Sequence, residues 1–200
     1  ACLLRIGEPN AFAQFFKTSN VSQQLDQAEG ARVTYRIGNR SVVYLYGGKR
    51  WAPRPKSEAK LVGNMGYPTV IYVGANAARI EPRPEDFRPQ RVRDVEPELR
   101  DAAVSILGPK FAELKQINVK RGIGSEAFLL LDHDRIQANR SQRNYYFSER
   151  NFSLGELCVL KLLRQLRSCP PGSLVLIDEL ELALHPTAQV ALYRHLEGLA

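Results

Sequence analysis

Cysteine is scarce in this chain: three residues, Cys2, Cys158 and Cys169, with no CxxC pair. An odd number at such wide spacing suggests neither a disulfide framework nor a zinc knuckle, and a reducing cytoplasm is the expected compartment. Histidine is equally sparse, with three residues, and no GxSxG elbow occurs, so there is no case for a nucleophilic triad. No apolar run approaches the roughly 20 residues that a membrane helix needs, and the opening "ACLLRIGEPN" lacks the basic start and long apolar core of a signal peptide. No membrane partner is expected. There is no internal repeat at a fixed period and no low-complexity tract.

What is present suits a soluble globular domain, or two small lobes. The 44% hydrophobic and 24% charged content supplies enough apolar surface for a core. Lys and Arg number 28 against 21 Asp and Glu, a formal charge of +7, which favours phosphate-bearing partners without requiring them. The basic residues are scattered over 31–60, 79–121 and 135–167 rather than packed into one tract, so a solvated basic surface accounts for most of them. The chain begins without Met and finishes in "TAQVALYRHLEGLA", a helical pattern with no stop signal beyond Gly198. It is therefore expected to be part of a larger polypeptide.

Along the chain, "AFAQFFKT" (11–18) predicts a short amphipathic helix. "ARVTYRI" (31–37) and "SVVYLYG" (41–47), separated by Gly38-Asn39-Arg40, predict an antiparallel hairpin. "KRWAPRPKSEAK" (49–60) reads as an exposed excursion, and "PTVIYVGA" (68–75) as a strand buried on both faces. After a proline-spaced basic linker (81–94), "EPELRDAAVSIL" and "KFAELKQI" have helical spacing broken at Gly108-Pro109. "EAFLLLD" (126–132) predicts a strand and "HDRIQANRSQRN" (133–144) a loop. Strands alternating with helices toward the C-terminus, and hairpin signals toward the N-terminus, fit an α/β sheet with a mixed or antiparallel annex.

Two motifs carry chemistry. In "SLVLIDE" (173–179) a turn at Pro170-Pro171-Gly172 is followed by a short apolar strand that ends in Asp178-Glu179. Open α/β sheets place ligands at the C-terminal ends of their strands. Hard cations such as Mg²⁺ take carboxylate and phosphate oxygens, so Asp178 can hold the metal, directly or through water, while Glu179 polarises an attacking water. An ordinary strand ending in an acidic turn is the alternative. In "FSLGE" (152–156), Ser153 and Glu156 fit a capping box opening a helix whose Leu157, Leu160, Leu163 and Leu166 recur at helical intervals. Capping does not explain Gly155 in the first turn; a missing side chain there lets a phosphate approach the exposed N–H groups at the positive helix end. A helix from Ser153 to Ser168 spans roughly 22 Å and a strand from Ser173 to Asp178 returns about 20 Å. The two motifs are thus expected on one rim of the sheet.

"FSLGE" resembles the ABC-type signature, and "LVLIDELELALHP" resembles the Walker B strand and D-loop of SMC/RecF-like ATPases, including OLD-type and related phage-defence ATPases. The resemblance covers residues 145–199. It implies a P-loop NTPase fold of the ABC-head kind: a mixed sheet and N-terminal hairpin region over 1–80, a helical insertion and linker over 81–152, and the signature helix, Walker B strand and following helix over 153–200. It implies ATP and Mg²⁺ as cofactors, Asp178 as the metal-associated aspartate and Glu179 as the catalytic glutamate. Ser153, Gly155 and Glu156 would lie at the nucleotide, with Ser153 and Gly155 touching the γ-phosphate held by a second subunit. His185, in "ALHP", would lie at the seam of an ATP-bridged homodimer. Work in phage defence or DNA repair, gating an effector nuclease or toxin, is implied in the same way.

The chain departs from the pattern at Leu180, where many members have proline, and at Leu154, in the slot of the signature's first glycine or small residue. No G-x-x-x-x-G-K-[ST] occurs. "YGGKR" (46–50) has Val43 in place of the first glycine and Arg50 in place of the hydroxyl, and "GIGSE" (122–126) has no lysine after it. The Walker A segment is expected upstream of Ala1.

Lesser signals are Asp132-His133-Asp134, better read as a solvated turn than as a metal trio, and Arg79, which on a faint family resemblance would approach nucleotide or DNA. Tyr145, Tyr146 and Phe147 near Arg140, Arg143 and Arg150 could stack on nucleic-acid bases, although packing under the signature helix explains the aromatics more simply. Two other functions stay open: a nucleotide-sensing scaffold with little hydrolysis, and a nucleic-acid-binding module, DNA included, without ATPase activity.

Overall fold

The computed structural model describes residues 3–8, 11–16, 30–48, 50–74, 78–119, 126–139, 144–179 and 184–200. The chain divides into two compact units, Ala1–Val73 with Cys169–Leu176, and Gly74–Ser168 with Ile177–Ala200.

The first unit is built on an antiparallel meander of β1 (Arg32–Ile37), β2 (Arg40–Tyr46) and β3 (Trp51–Arg54). The predicted hairpin is present, with Tyr35 opposite Val42 and Ile37 opposite Arg40. Gly38 takes φ +57° at the first central position of the connection, where a Cβ would be strained. Residues 51–54, expected to lie outside regular structure, form β3. Pro53 is tolerated because β3 is an edge strand, where a missing N–H breaks no ladder on the outer side. One face of the meander buries Tyr35, Val42 and Tyr44 against Phe12 of helix α1 (Ala11–Phe15) and against Leu61 and Val62. Phe12 meets Trp51 at 4.7 Å between ring centroids and Tyr44 edge-on at 5.5 Å, and Tyr44 Oη donates to the Ala59 carbonyl at 3.0 Å.

Two further strands, β4 (Val70–Gly74) and β9 (Leu174–Asp178), pair with each other. β4 was expected to be buried on both faces, but of its residues only Val73 is buried and Val70, Ile71 and Tyr72 are half-buried. In β9, read as a short apolar strand, Leu174, Val175 and Leu176 are half-buried and Ile177 is 36% exposed. Among the described residues β9 pairs with β4 alone.

The second unit holds a four-stranded antiparallel sheet in chain order: β5 (Val92–Asp94), β6 (Leu114–Asn118), β7 (Glu126–Leu131) and β8 (Tyr146–Ser148). The central strand β7 buries Ala127, Phe128, Leu129 and Leu130 in succession, as a strand covered on both faces must. Helix α2 (Pro97–Leu107) appears where the spacing predicts it, buries Leu99, Ala102, Ala103 and Ile106, and packs on α4 (Leu154–Arg167) and α5 (Pro186–Glu197).

The second predicted helix, "KFAELKQI", is not one. Gly108 ends α2 with φ +106°, a 3₁₀ turn runs Pro109–Glu113, and residues from Leu114 onward enter β6. Leu114 and Ile117 are the buried pair of that strand, a spacing of three that a helix would also have produced. The segment 81–152 therefore contains a sheet as well as helix. Within "HDRIQANRSQRN", read as loop, His133–Asn139 form helix α3. Asp132 Oδ1 accepts the Arg135 amide at 3.0 Å, an N-cap just before the first helical residue.

Candidate nucleotide site

Ser153 caps α4 as its sequence demands. Its Oγ accepts the Glu156 amide at 3.2 Å while Glu156 Oε2 accepts the Ser153 amide at 2.8 Å, a closed capping box. Behind it Leu157, Leu160 and Leu163, with Cys158, Val159 and Leu162, bury the inner face of the helix. Leu166, placed by spacing on the same stripe, is left more open, in the last turn. Gly155 is buried, whereas Ser153 and Leu154 are exposed, Leu154 by 41%. The amides of Leu154 and Gly155, in the first turn, have no intrahelical carbonyl to bond.

Glu156 also forms an ion pair with Lys110. Burial works against its charge, but Lys110 and the Ser153 amide outweigh that and hold its carboxyl below the ordinary glutamate range.

The approach to this helix is clamped by residues that sequence reasoning did not single out for the task. Glu149 is fully buried, and its two carboxylate oxygens accept the Ile80 amide at 2.8 Å and the Phe128 amide at 3.0 Å. Lys161 of α4 stands 3.5 Å from the same carboxylate and donates to the Ala78 carbonyl. Arg79, expected near nucleotide or DNA, is occupied otherwise: its Nη1 donates to the carbonyls of Glu149 at 2.5 Å, Phe152 at 2.7 Å and Arg150 at 3.3 Å. Three carbonyls within four residues, those of Glu149, Arg150 and Phe152, gathered on one guanidinium fix the turn that delivers Phe152 and Ser153 to the helix start. No sequence signal marks Glu149, because a lone glutamate in "FSERN" looks like any solvated residue.

Arg164, one turn beyond Leu160, lies 3.7 Å over the Phe128 ring and donates to the Glu126 carbonyl at 2.8 Å. Burial lowers its pKa, partly offset by Glu126, Glu149 and Glu96.

The second motif ends β9. Asp178 and Glu179 are both exposed, and Glu179 has φ +53°, the single non-glycine residue with positive φ among those described. Residues 180–183 lie outside the described residues, and with them the departure at Leu180. His185 precedes the first turn of α5 as its N-cap residue, with Pro186 at the first helical position. Its ring is exposed, and Nδ1 lies 3.0 Å from Thr187 Oγ1.

Ser153, Gly155 and Glu156 thus share one helix start, Asp178 and Glu179 one strand end, and His185 a second helix start. All six belong to the same compact unit. Among the described residues no group of three or more His, Cys, Asp or Glu side chains is arranged to hold a metal; Asp132 caps α3, and His133 meets Glu113 at 2.8 Å. A carboxylate at an exposed strand end nevertheless suits Mg²⁺, which keeps most of its water and takes one or two carboxylates together with substrate phosphates.

Sheets with flanking helices, a capped helix start and an acid-tipped strand end fit an α/β domain of the P-loop ATPase class. The chain belongs to the family described as "AAA domain, putative AbiEii toxin, Type IV TA system", whose model matches residues 51–199. No curated protein matches it, and no solved structure matches it. AAA domains are ATPases, and the family's description places this one in a toxin–antitoxin setting. No helix among the described residues is long and apolar enough to cross a membrane.

Proposed function

We propose that these residues form the Walker B and signature part of an ATP-hydrolysing head of the SMC/RecF/OLD-like kind, which closes as a dimer around ATP. The observation that carries the proposal is the backbone of Glu179. A non-glycine residue in the left-handed region costs on the order of 1–3 kcal/mol, and such strain concentrates at working sites. Here it falls on the exposed glutamate that directly follows the metal-type aspartate at the strand end.

In this proposal Asp178 holds Mg²⁺, and Glu179 orients and takes a proton from the attacking water. Bound Mg²⁺ supplies charge neutralisation for the phosphoryl oxygens. Ser153 Oγ and the first-turn amides of Leu154 and Gly155 face the γ-phosphate held by the second copy, with Glu156 fixing the serine rotamer and His185 at the seam between copies. ATP closure then gates a toxin or nuclease partner in defence against phage.

The test is ATP turnover and oligomeric state of the full-length protein and of Glu179→Gln. Turnover is expected to fall by at least about 100-fold, as for loss of a general base, while ATP still drives dimerisation and the dimer persists. Unchanged turnover removes Glu179 from the chemistry; an ATP-independent oligomeric state removes the dimer.

A further inference from the structure

The sheet of the second unit borders an open cavity of about 1100 Å³ whose walls contain neither the signature residues nor the strand-end carboxylates. Phe87, Tyr145 and Tyr146 line it. The rings of Phe87 and Tyr146 are nearly parallel, at 21°, with centroids 6.4 Å apart. Rings in full face contact stand about 3.5–4 Å apart. These two are therefore either offset or separated by a gap, and in both cases a π-face stays uncovered by the other ring. Phe87 is 38% exposed, so its ring is within reach of a ligand in the cavity. Tyr145 is backed by the Arg135 guanidinium, 4.7 Å from its centroid.

Charge completes the pattern. The cavity's acids are already engaged: Asp94 pairs with Lys115, and Glu113 meets His133 at 2.8 Å. Arg88 and Arg93, exposed in the same walls, meet no carboxylate among the described residues. Open π-faces beside exposed guanidinium groups match unpaired bases joined by phosphates, since every base can stack and arginine tracks the backbone. At about 1100 Å³ the cavity lies just above the range of about 300–1,000 Å³ for small-molecule sites, which favours a strand over a single nucleotide. Phe147 plays no part here; it lines a different, smaller cavity, and residues 140–143 lie outside the described residues.

We propose that this cavity binds a short stretch of single-stranded nucleic acid, with Phe87 and Tyr146 as stacking platforms and Arg88 and Arg93 as phosphate contacts. The proposal is independent of the ATP-head proposal, and its test uses no ATP. Binding of a labelled oligothymidine of about 12 nucleotides to the full-length protein is followed by fluorescence anisotropy at several salt concentrations. Phe87→Leu removes a stacking face from an exposed position and should weaken binding by about 5-fold or more. Tyr146 also packs against the buried cluster of Ile117, Val119, Ala127 and Leu129, so Phe87 is the cleaner probe. The double change Arg88→Gln, Arg93→Gln should lower the slope of log K against log salt by about 1.4, or 0.7 per phosphate contact.

Arg36→Gln, on the exposed side of β1, should change neither quantity. The proposal is overturned if Phe87→Leu binds like the parent, or if Arg36→Gln matches the double variant. It is equally overturned if duplex DNA binds as tightly as the single strand, if thymidine monophosphate competes at the same concentration, or if polyglutamate displaces the oligonucleotide at equal charge.

Discussion

Replacing Glu179 by glycine should make the protein more stable and inactive at once. In the left-handed region a Cβ crowds the following carbonyl, at a cost of about 1–2 kcal/mol, and Glu179 sits there with φ +53°. Glycine escapes that cost but gives back about 0.5–1 kcal/mol through the greater freedom of the unfolded chain. Because Glu179 is exposed, little burial is lost, and the net gain should be about 0.5–1 kcal/mol.

Alanine and glutamine at the same position keep the Cβ and therefore the strain. All three variants remove the same carboxylate beside Asp178, so the difference between glycine and alanine isolates the backbone term. Urea denaturation of the full-length protein should show a higher midpoint for Glu179→Gly than for Glu179→Ala at equal slope, and melting about 1–4 °C higher. All three variants should lose ATP turnover. Equal midpoints for glycine and alanine refute the claim of strain, and a glycine variant that still turns over ATP refutes the claim that strain is kept for chemistry.

Ser153→Ala removes the side-chain acceptor of the capping box and should destabilise the protein by about 1 kcal/mol in the same denaturation assay. Glu156→Gln should destabilise at neutral pH and matter less in acid. The folded carboxyl is held below its ordinary value, so its contribution is complete above the ordinary glutamate range and is lost as pH falls through the folded value; the stability gap between parent and variant, measured against pH, should close in that window. Glu149→Gln turns one acceptor of a fully buried carboxylate into a donor facing an amide and should cost about 1–3 kcal/mol; a change within about 0.5 kcal/mol would show that the clamp is not needed.

The strongest local patterns were legible before any fold was known. The alternation in "ARVTYRI" and "SVVYLYG" around Gly38 gave β1 and β2, and the apolar period of "EPELRDAAVSIL" gave α2. The serine three residues before Glu156 gave the start of α4, hydrogen bond for hydrogen bond. Short segments misled. The buried pair of "KFAELKQI" fits a helix or a strand equally well, and the choice of strand came from pairing with β7, a partner distant in sequence.

What the sequence determined by itself was whatever its own neighbouring residues could satisfy: caps, turns, amphipathic periods, and the chemistry of the Asp178-Glu179 pair at a strand end. Tertiary structure decided which side chains far apart in the chain share one environment. Only folding put Arg79 on the carbonyls of Glu149, Arg150 and Phe152, buried Glu149 between the amides of Ile80 and Phe128, and set Phe87 beside Tyr146. A buried polar group must find its partners wherever the fold brings them, and no local spacing encodes a partner some seventy residues away.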